Sequence, residues 1–337
     1  MSESTATAPV LEVTDLDKEF DVTRGLVARI RGDRRIARAV TGVSFSIPAG
    51  ETLGLVGESG SGKTTVGKTV LRLYEPERGR IVFEGTDLAP LSTTAVRPFR
   101  RRLQMIFQDP ESSLNRRQTV EQILSLPLRV HRIGGGARER TDRIDHALEQ
   151  VGLNPAFRKR YPHEFSGGQR QRIGIARALI SGPSLIVADE PVSALDVSTQ
   201  AQIVNLLTRL QADLGVAFLL ISHDLSVIRH TSQRVAVMYL GEIIESGLRE
   251  QVLARPAHPY TKSLLSAVPS LHRPRAGTRT ILAGEVPSPV GPPPGCRFHT
   301  RCPVYIGDVC KTIVPRPIEV DVGRVVRCHH FDAEIPK

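Results

Sequence analysis

A glycine-rich segment that follows a short apolar run constrains the fold of this chain more than any other feature. Residues 52–56 read Thr-Leu-Gly-Leu-Val, and the next eight residues fit the pattern G-x-x-x-x-G-K-[ST]. Glycines let consecutive backbone N–H groups turn inward around a phosphate, and a helix N-terminus adds a positive dipole end. The pattern is therefore typical of a strand, a phosphate-binding loop and a helix in succession. It predicts a nucleotide site formed by Gly57, Glu58, Ser59, Gly60, Ser61, Gly62, Lys63 and Thr64, with Thr65 as an additional phosphate contact.

A second phosphate-related pattern lies farther along the chain, where the apolar run 185–188 ends in Asp189 and Glu190. In a nucleotide site Lys63 would reach the β- and γ-phosphates, while Thr64 and Asp189 would hold Mg²⁺. Glu190 would polarise the attacking water. Two carboxylates at the end of a strand can also be helix-capping acids, but the glycine-rich loop favours the catalytic interpretation.

Three changes in composition divide the chain. Residues 22–40 are rich in arginine without an apolar period, which predicts a basic loop or insertion that is either solvated or in contact with anionic lipid or a partner. From residue 43 to about 247, short Val/Ile/Leu runs alternate with helical periods, which indicates an α/β fold with a mostly parallel sheet covered by helices. Within it we expect buried strands at 185–188 and 216–221 and a helix at 197–213. After residue 256 a proline-rich stretch leads into a tail that we interpret as a small separate module.

The charge predicts an anionic partner. The 337 residues carry 45 Lys and Arg against 35 Asp and Glu, a formal net charge of +10, and 40% of them are hydrophobic. This composition excludes a disordered or fibrous chain. A nucleotide, nucleic acid or the anionic face of a membrane would each suit the surplus. No stretch approaches the ~18–20 apolar residues of a membrane span, and no secretory leader is evident, so we expect a cytoplasmic protein whose membrane role is peripheral.

Further motifs lie in a characteristic order between and after the two phosphate patterns. They are Gln108 in Ile-Phe-Gln-Asp-Pro, residues 165–169 (Phe-Ser-Gly-Gly-Gln), residues 193–196 (Ser-Ala-Leu-Asp) and His223 in Ile-Ser-His-Asp. Together they resemble the Q-loop, signature, D-loop and switch histidine of ABC-type ATPases. The family usually begins the signature with Leu, so Phe165 is a conservative departure. The resemblance implies a P-loop NTPase core over residues 10–255, with a mixed sheet and flanking helices, an antiparallel β subdomain and a helical signature subdomain.

The resemblance also implies roles for these residues. Glu190, His223 and Gln108 would be catalytic, and Gln108 would join Thr64 and Asp189 around Mg²⁺. The signature would bind the nucleotide of a partner chain, so that a complete site needs two chains. Phe20 resembles the aromatic residue that stacks on adenine, although core packing explains it equally well. The signature and D-loop residues in question are Ser166, Gly167, Gly168, Gln169 and Asp196.

All four cysteines lie in the C-terminal segment: Cys296, Cys302, Cys310 and Cys328. A reducing compartment argues against disulfides, and the Cys-Pro step at 302–303 is typical of iron–sulfur ligation. We predict a [4Fe–4S] cluster, with a Cys₄ zinc site or unligated thiols as alternatives. His299, His329 and His330 are additional candidate ligands for zinc.

Two segments narrow the resemblance further. Residues 295–303 and 258–261 resemble the C-terminal extension, here 256–337, of ATPases that serve oligopeptide and dipeptide importers. The resemblance implies a second ATPase subunit in a heterodimer, two transmembrane permease subunits, an extracellular substrate-binding protein and a place at the cytoplasmic face of the plasma membrane. The alternative is an ABC ATPase acting on nucleic acid in DNA repair or at the ribosome. We expect no nucleic-acid partner, because the long insertions or paired cores of those proteins are not evident.

Overall fold

The computed structural model describes residues 8–23, 34–266 and 284–334. Strands and helices are interspersed along this length. In chain order the strands are β1 Leu11–Asp21, β2 Ile36–Ile47, β3 Thr52–Val56, β4 Arg78–Phe83, β5 Thr86–Asp87, β6 Leu103–Ile106, β7 Leu185–Asp189, β8 Ala217–Ser222, β9 Arg234–Tyr239, β10 Glu242–Leu248, β11 Ile318–Asp321 and β12 Arg324–Val326. The α-helices are α1 Lys63–Val70, α2 Thr93–Val96, α3 Pro110–Ser113, α4 Val120–Val130, α5 Ala137–Gln150, α6 Gly167–Leu179, α7 Val197–Leu214, α8 Leu225–Thr231, α9 Arg249–Ala254, α10 Pro259–Ser266 and α11 Asp308–Thr312.

The described residues form two compact units, of which the first comprises residues up to 12, 46–52 and 82–222. In this unit β8, β7 and β6 are neighbours in that order and run parallel, with Leu185 opposite both Leu103 and Ala217. Every residue of β7 and β8 is buried, as expected for central parallel strands covered on both faces. The two predicted strands are confirmed, with ends that differ by one residue.

The helices of the first unit follow the hydrophobic period. Helix α7 begins after Asp196, whose side chain caps it, and ends at Gly215 in the left-handed conformation. The predicted helix at 197–213 is confirmed to within one residue, and its apolar face is buried. Helices α4, α5 and α6 belong to the helical subdomain that the resemblance implies. Among the helices of the described residues, none combines the length and the apolar character that crossing a membrane requires.

The second unit comprises residues 13–45, 53–81 and those from 223 onward. Here β3 runs parallel to β9, with Leu53 opposite Arg234, and β10 continues antiparallel on the other side of β9. Strand β12 pairs with β10, with Glu245 opposite Val326, and β11 follows at the edge. The sheet of this unit is therefore mixed, as the resemblance implies. The segment after residue 256 supplies its last two strands.

A separate four-stranded sheet has the order β2, β1, β4, β5, and its β4–β5 pair is antiparallel. Strand β2 corrects part of one prediction. The arginine-rich segment 22–40 was expected to be a loop; residues 24–33 lie outside the described part of the chain, and from Ile36 the segment is strand. The buried residues of β2 include Ala37, Val40 and Val43, three residues apart, and this spacing hides the two-residue period by which strands are recognised.

Candidate nucleotide-binding site

The phosphate loop lies between β3 and α1, as its sequence predicts. All three of its glycines have backbone angles that disfavour other residues: φ is 155° at Gly57, 78° at Gly60 and 104° at Gly62. A Cβ atom at Gly57 would lie 2.1 Å from the carbonyl oxygen of Met238, and one at Gly62 would lie 2.1 Å from that of Ala39. The loop is thus backed closely by main chain, and only glycine fits at these two positions.

The ammonium group of Lys63 lies inside this loop. The residue is 5% exposed, and Nζ donates hydrogen bonds to the carbonyl oxygens of Gly57 at 2.7 Å and Glu58 at 2.8 Å. A third contact joins Nζ to Ser61 Oγ at 3.3 Å. Bonds from an ammonium group to phosphate oxygens are stronger than bonds to neutral carbonyl oxygens, so Lys63 would gain Coulomb energy if phosphate oxygens replaced those of Gly57 and Glu58. Thr64 and Thr65 follow in the first turn of α1.

The second half of the predicted chemistry lies in the first unit, at the end of β7. Asp189 is the last residue of the strand and is buried, and Glu190 follows with a φ of 46°, unusual for a residue other than glycine. The Glu190 N–H donates to the carbonyl oxygen of Ile221 at 2.9 Å. Its carboxylate Oε2 accepts a hydrogen bond from Gln108 Nε2 at 3.0 Å. The structure therefore brings together two predicted catalytic residues that are 82 positions apart.

The signature residues form the start of α6. Ser166 caps the helix: its Oγ accepts from the N–H of Gln169 at 3.3 Å, while Gln169 Oε1 accepts from the N–H of Ser166 at 3.0 Å. Gly167 begins the helix and is exposed. The unusual Phe165 is buried and packs edge-on against Phe157, with ring centroids 5.9 Å apart. The larger ring is accommodated, and the helix N-terminus stays accessible to an anion.

Two further predicted residues lie at the starts of helices. The Asp196 carboxylate accepts hydrogen bonds from Ser198 Oγ at 2.6 Å and from Thr199 N and Oγ1 at 3.0 and 2.7 Å. The bond from Ser198 is the largest of several that stabilise the ionised form and lower the pKa of Asp196. His223 directly follows β8 and is exposed. Both residues thus stand at strand or helix ends, where functional groups of α/β proteins cluster.

Comparison with known proteins supports the same interpretation. The model of the ABC transporter family matches residues 40–193, and that of the oligopeptide/dipeptide transporter C-terminal region matches residues 244–310. The chain is 51% identical to the oligopeptide transport ATP-binding protein AppF of Bacillus subtilis, over 96% of this chain and 97% of AppF. It is 54% identical to a putative peptide import ATP-binding protein of Brucella ovis, over 95% and 97% of the two chains.

The chain belongs to the ATP-binding subunits of oligopeptide/dipeptide ABC transporters. Solved structures agree on the ATPase fold. The ATP-binding cassette MJ0796, determined as a dimer bound to ADP and Pi, is 28% identical, with a TM-score of 0.62 over 71% of this chain and 98% of the cassette. The cbiO1 protein of Clostridium perfringens is 25% identical, with a TM-score of 0.62 over 73% and 91% of the two chains. The chain is an ABC ATPase, which hydrolyses ATP for transport.

In this ABC ATPase the predicted adenine-stacking residue Phe20 lies near the end of β1. Its half-buried ring packs edge-on against Tyr74, with centroids 5.3 Å apart, and Lys18 Nζ lies 5.3 Å from the ring centroid. Sequence reasoning did not identify Tyr74, which no motif marks. Stacking of Phe20 on adenine stays a prediction.

The four cysteines of the ABC ATPase lie near one another. Burial raises the pKa of Cys296 to about 12, and the neighbouring thiols of Cys310, Cys328 and Cys302 add to the rise. Cys296 N also donates to the carbonyl oxygen of Cys310 at 2.9 Å. In the part of the chain that the structure describes, which includes all four cysteines, no group of three or more His, Cys, Asp or Glu side chains is arranged to hold a metal ion. The predicted metal centre therefore gains no direct support from the geometry.

Two residues of the C-terminal extension contact the phosphate loop, and the sequence motifs assigned no role to either of them. Arg301 forms a salt bridge with Glu58, and the hydroxyl of Tyr260 accepts a hydrogen bond from the N–H of Glu58. Both residues lie in the two segments that resemble the importer extension. The resemblance marked these segments, but the contacts span more than 200 residues and no local pattern indicates them.

Proposed function

We propose that this ABC ATPase energises the import of oligopeptides or dipeptides. The observation that carries the proposal is the nearly full-length similarity to an oligopeptide transport ATP-binding protein, which includes the C-terminal extension as well as the ATPase core. An ABC ATPase without a role in peptide import would be similar to this chain over the ATPase core and not over the C-terminal extension. The net charge of +10 suits a subunit docked beneath an anionic membrane leaflet.

ATP would bind with its phosphates in the loop 57–64. Lys63 would leave the carbonyl oxygens of Gly57 and Glu58 for the β- and γ-phosphates. Mg²⁺ would take oxygen ligands from Thr64, Asp189 and Gln108, because hydroxyl, carboxylate and amide oxygens are its preferred donors. Mg²⁺ would neutralise charge on the transferred phosphoryl group, and the protein groups would orient it.

Glu190 would act as the general base toward the attacking water. Gln108 donates to one carboxylate oxygen of Glu190, and the left-handed backbone of Glu190 is fixed by its bond to Ile221. A carboxylate held in this way keeps its lone pairs in a defined direction, which general-base catalysis requires. His223 would contribute a further donor to the γ-phosphate as negative charge develops there.

The signature helix would complete the site of a second ATPase subunit. Its exposed N-terminus, which Ser166 and Gln169 cap, would offer the backbone N–H groups of Gly167 and Gly168 to a γ-phosphate. Asp196 shapes the adjacent start of α7. ATP would then hold two subunits together and hydrolysis would release them, and this change would drive the membrane subunits. The remaining partners would be a related ATPase chain, two permease subunits and an extracellular peptide-binding protein, with this chain at the cytoplasmic face of the membrane.

The experiment that tests this proposal is gentle detergent extraction from the native membrane, followed by identification of the proteins that co-purify. We expect two permease subunits and a second ATPase, with ATP turnover that rises when peptide-loaded binding protein is added. Salt-sensitive binding to duplex DNA, without any membrane protein in the preparation, would instead support the nucleic-acid alternative.

We also propose that the four cysteines hold a [4Fe–4S] cluster. The Cys-Pro step at 302–303 is typical of iron–sulfur ligation, and this supports the cluster over zinc. Anaerobically purified protein should contain iron and sulfide and show a broad visible absorbance, both lost in Cys302→Ser. Zinc without iron would favour the alternative.

A further inference from the structure

Glu58, the second residue of the phosphate loop, is held at both its side chain and its backbone by the C-terminal part of the chain. Its carboxylate accepts two hydrogen bonds from Arg301, from Nη1 at 2.8 Å and from Nη2 at 3.2 Å. Its backbone N–H donates to the Tyr260 hydroxyl at 2.9 Å. Such a bidentate pair fixes direction as well as distance. The conformation of the loop at Glu58 therefore depends on residues more than 200 positions away.

Arg301 is itself committed to this contact. Its side chain is only 7% exposed, and its Nε atom is buried without a hydrogen-bond partner in the described residues. The guanidinium group lies 5.9 Å from the centroid of the Tyr239 ring, and Nη1 is 3.4 Å from the Tyr239 hydroxyl. Burying a cation costs free energy that one ion pair often fails to recover, so a gain in stability alone does not explain the pair of Arg301 and Glu58. The pair is better explained by its effect on the position of Glu58 in the phosphate loop.

An aromatic cluster sets where Arg301 can lie. Phe298, which precedes the 3-10 turn His299–Arg301, is 1% exposed and contacts the rings of Tyr239, His258 and Tyr260 at centroid distances of 5.3, 5.6 and 5.5 Å. These three rings are also buried. The same cluster therefore orients both residues that hold Glu58, the arginine through its turn and Tyr260 through ring packing.

A second arginine of the same segment supports the back of the loop. Arg297 donates to the carbonyl oxygen of Leu240 and pairs with Glu242 at 2.9 Å, and the side chains of Arg297 and Glu242 are each 8% exposed. The adjacent Gly241 N–H donates to the carbonyl oxygen of Ser61 at 2.9 Å. The segment 296–302 thus contacts the loop directly at Glu58 and indirectly at Ser61.

We propose that Arg301 is a positioning residue for ATP binding, which holds the phosphate loop through Glu58 so that the C-terminal segment sets the affinity for nucleotide. The inference rests on the proposed binding of ATP phosphates in the loop 57–64. A loop that is ordered before ATP arrives loses less conformational entropy on binding. Without Arg301 this ordering cost falls on the binding step, so affinity decreases while the chemistry at Glu190 is unaffected once ATP is bound.

The test compares Arg301→Gln, Glu58→Gln and the double variant in the full-length chain. Equilibrium binding of a fluorescent ATP analogue gives Kd, and turnover in the assembled transporter gives KM and kcat. We expect either single change to weaken binding roughly tenfold, about 1.4 kcal/mol, and to raise KM with kcat nearly unchanged. The double variant should be no weaker than Arg301→Gln, because both changes remove the same pair. Arg301→Lys should recover part of the affinity.

Arg316→Gln is the matched control, because Arg316 belongs to the same segment but pairs with Asp332 and Glu334. Its Kd should equal that of the wild type. If Arg301→Gln does not fold, Glu58→Gln decides, since it leaves the aromatic cluster intact. Wild-type affinity in Glu58→Gln, or additive losses in the double variant, would overturn the inference. A wild-type chain that does not bind ATP would instead contradict the proposed function.

Discussion

The side-chain amide of Gln108 donates a hydrogen bond to the carboxylate of Glu190 across 3.0 Å. The two residues come from different loops of the same unit, and the backbone of Glu190 is separately fixed by its bond to Ile221. The carboxylate is therefore oriented by the Gln108 bond to Oε2. This arrangement suits a base that must face a water molecule.

Replacing Glu190 by Gln should abolish turnover without abolishing ATP binding. The amide keeps the size of the side chain but cannot accept a proton, so phosphate release in the assembled transporter should fall roughly 10²–10⁴-fold. Equilibrium binding of ATP should change little. Glu149→Gln, on an exposed position of α5, is the control and should leave turnover as in the wild type. Near-normal turnover in Glu190→Gln would show that another group is the base.

Replacing Lys63 by Ala should weaken ATP binding roughly 10–100-fold, because charge-assisted hydrogen bonds contribute about 1.5–3 kcal/mol each. The buried ammonium now donates to Gly57 and Glu58, so its loss also removes the loop's internal bonds. Titration with a fluorescent ATP analogue measures the effect. The exposed Lys159→Ala is the control for the loss of one positive charge. Equal affinities in the two variants would contradict the assigned role of Lys63.

Because Thr199 lies close to Gly168, we predict that a substitution at Thr199 can compensate for one at Gly168. A Cβ atom at Gly168 would lie 2.4 Å from Thr199 Cγ2. Gly168→Ala should therefore destabilise the chain by about 1–3 kcal/mol through overpacking. Thr199→Ser removes that methyl group and keeps the hydroxyl that bonds Asp196. We expect the double variant to regain much of the stability in urea unfolding. If it is no more stable than Gly168→Ala, the clash is not the cause.

His258 predicts a dependence of stability on pH. Burial lowers its pKa from 6.5 to about 3, and the ring accepts a hydrogen bond at Nδ1 from the N–H of Tyr260 at 3.0 Å. As the pH falls below 6.5 the unfolded chain binds a proton at this residue and the folded chain does not. The stabilisation is therefore complete above 6.5 and is lost as the pH falls toward 3, by at most about 1.4 kcal/mol per pH unit.

Urea unfolding between pH 4.5 and 8 measures this dependence. In His258→Asn the side-chain oxygen can still accept a hydrogen bond but does not titrate, so the slope below pH 6.5 should become flatter than in the wild type. His146→Asn, at an exposed position, should keep the wild-type slope. An unchanged slope in His258→Asn would mean that other groups cause the acid sensitivity.

Local patterns predicted the elements that bear the site. The strand before Gly57, the helix at Lys63, the buried strand before Asp189 and the helix after Asp196 were all expected within a residue or so. Each of these depends on short-range periodicity, on glycine conformation or on a helix cap, which a sequence displays directly.

The rest depended on contacts between distant parts of the chain. Nothing in the residues around Arg301 or Glu58 indicates that they meet, because a charged residue is compatible with many partners. Strands β11 and β12 were missed because short strands at a sheet edge leave almost no hydrophobic period. The cysteines did come near one another, but spacing alone does not determine the distances between their sulfur atoms.

The pairing of β12 with β10 affects whether the ATPase core can be produced without the C-terminal extension. Glu245 is fully buried in β10 and receives hydrogen bonds from Arg324 and from the N–H groups of Ala257 and His258. A recombinant fragment that ends at residue 255 would remove all three donors and expose the edge of β10. It would present an unpaired strand beside an uncompensated carboxylate, a combination that favours aggregation of the fragment over a minimal soluble enzyme.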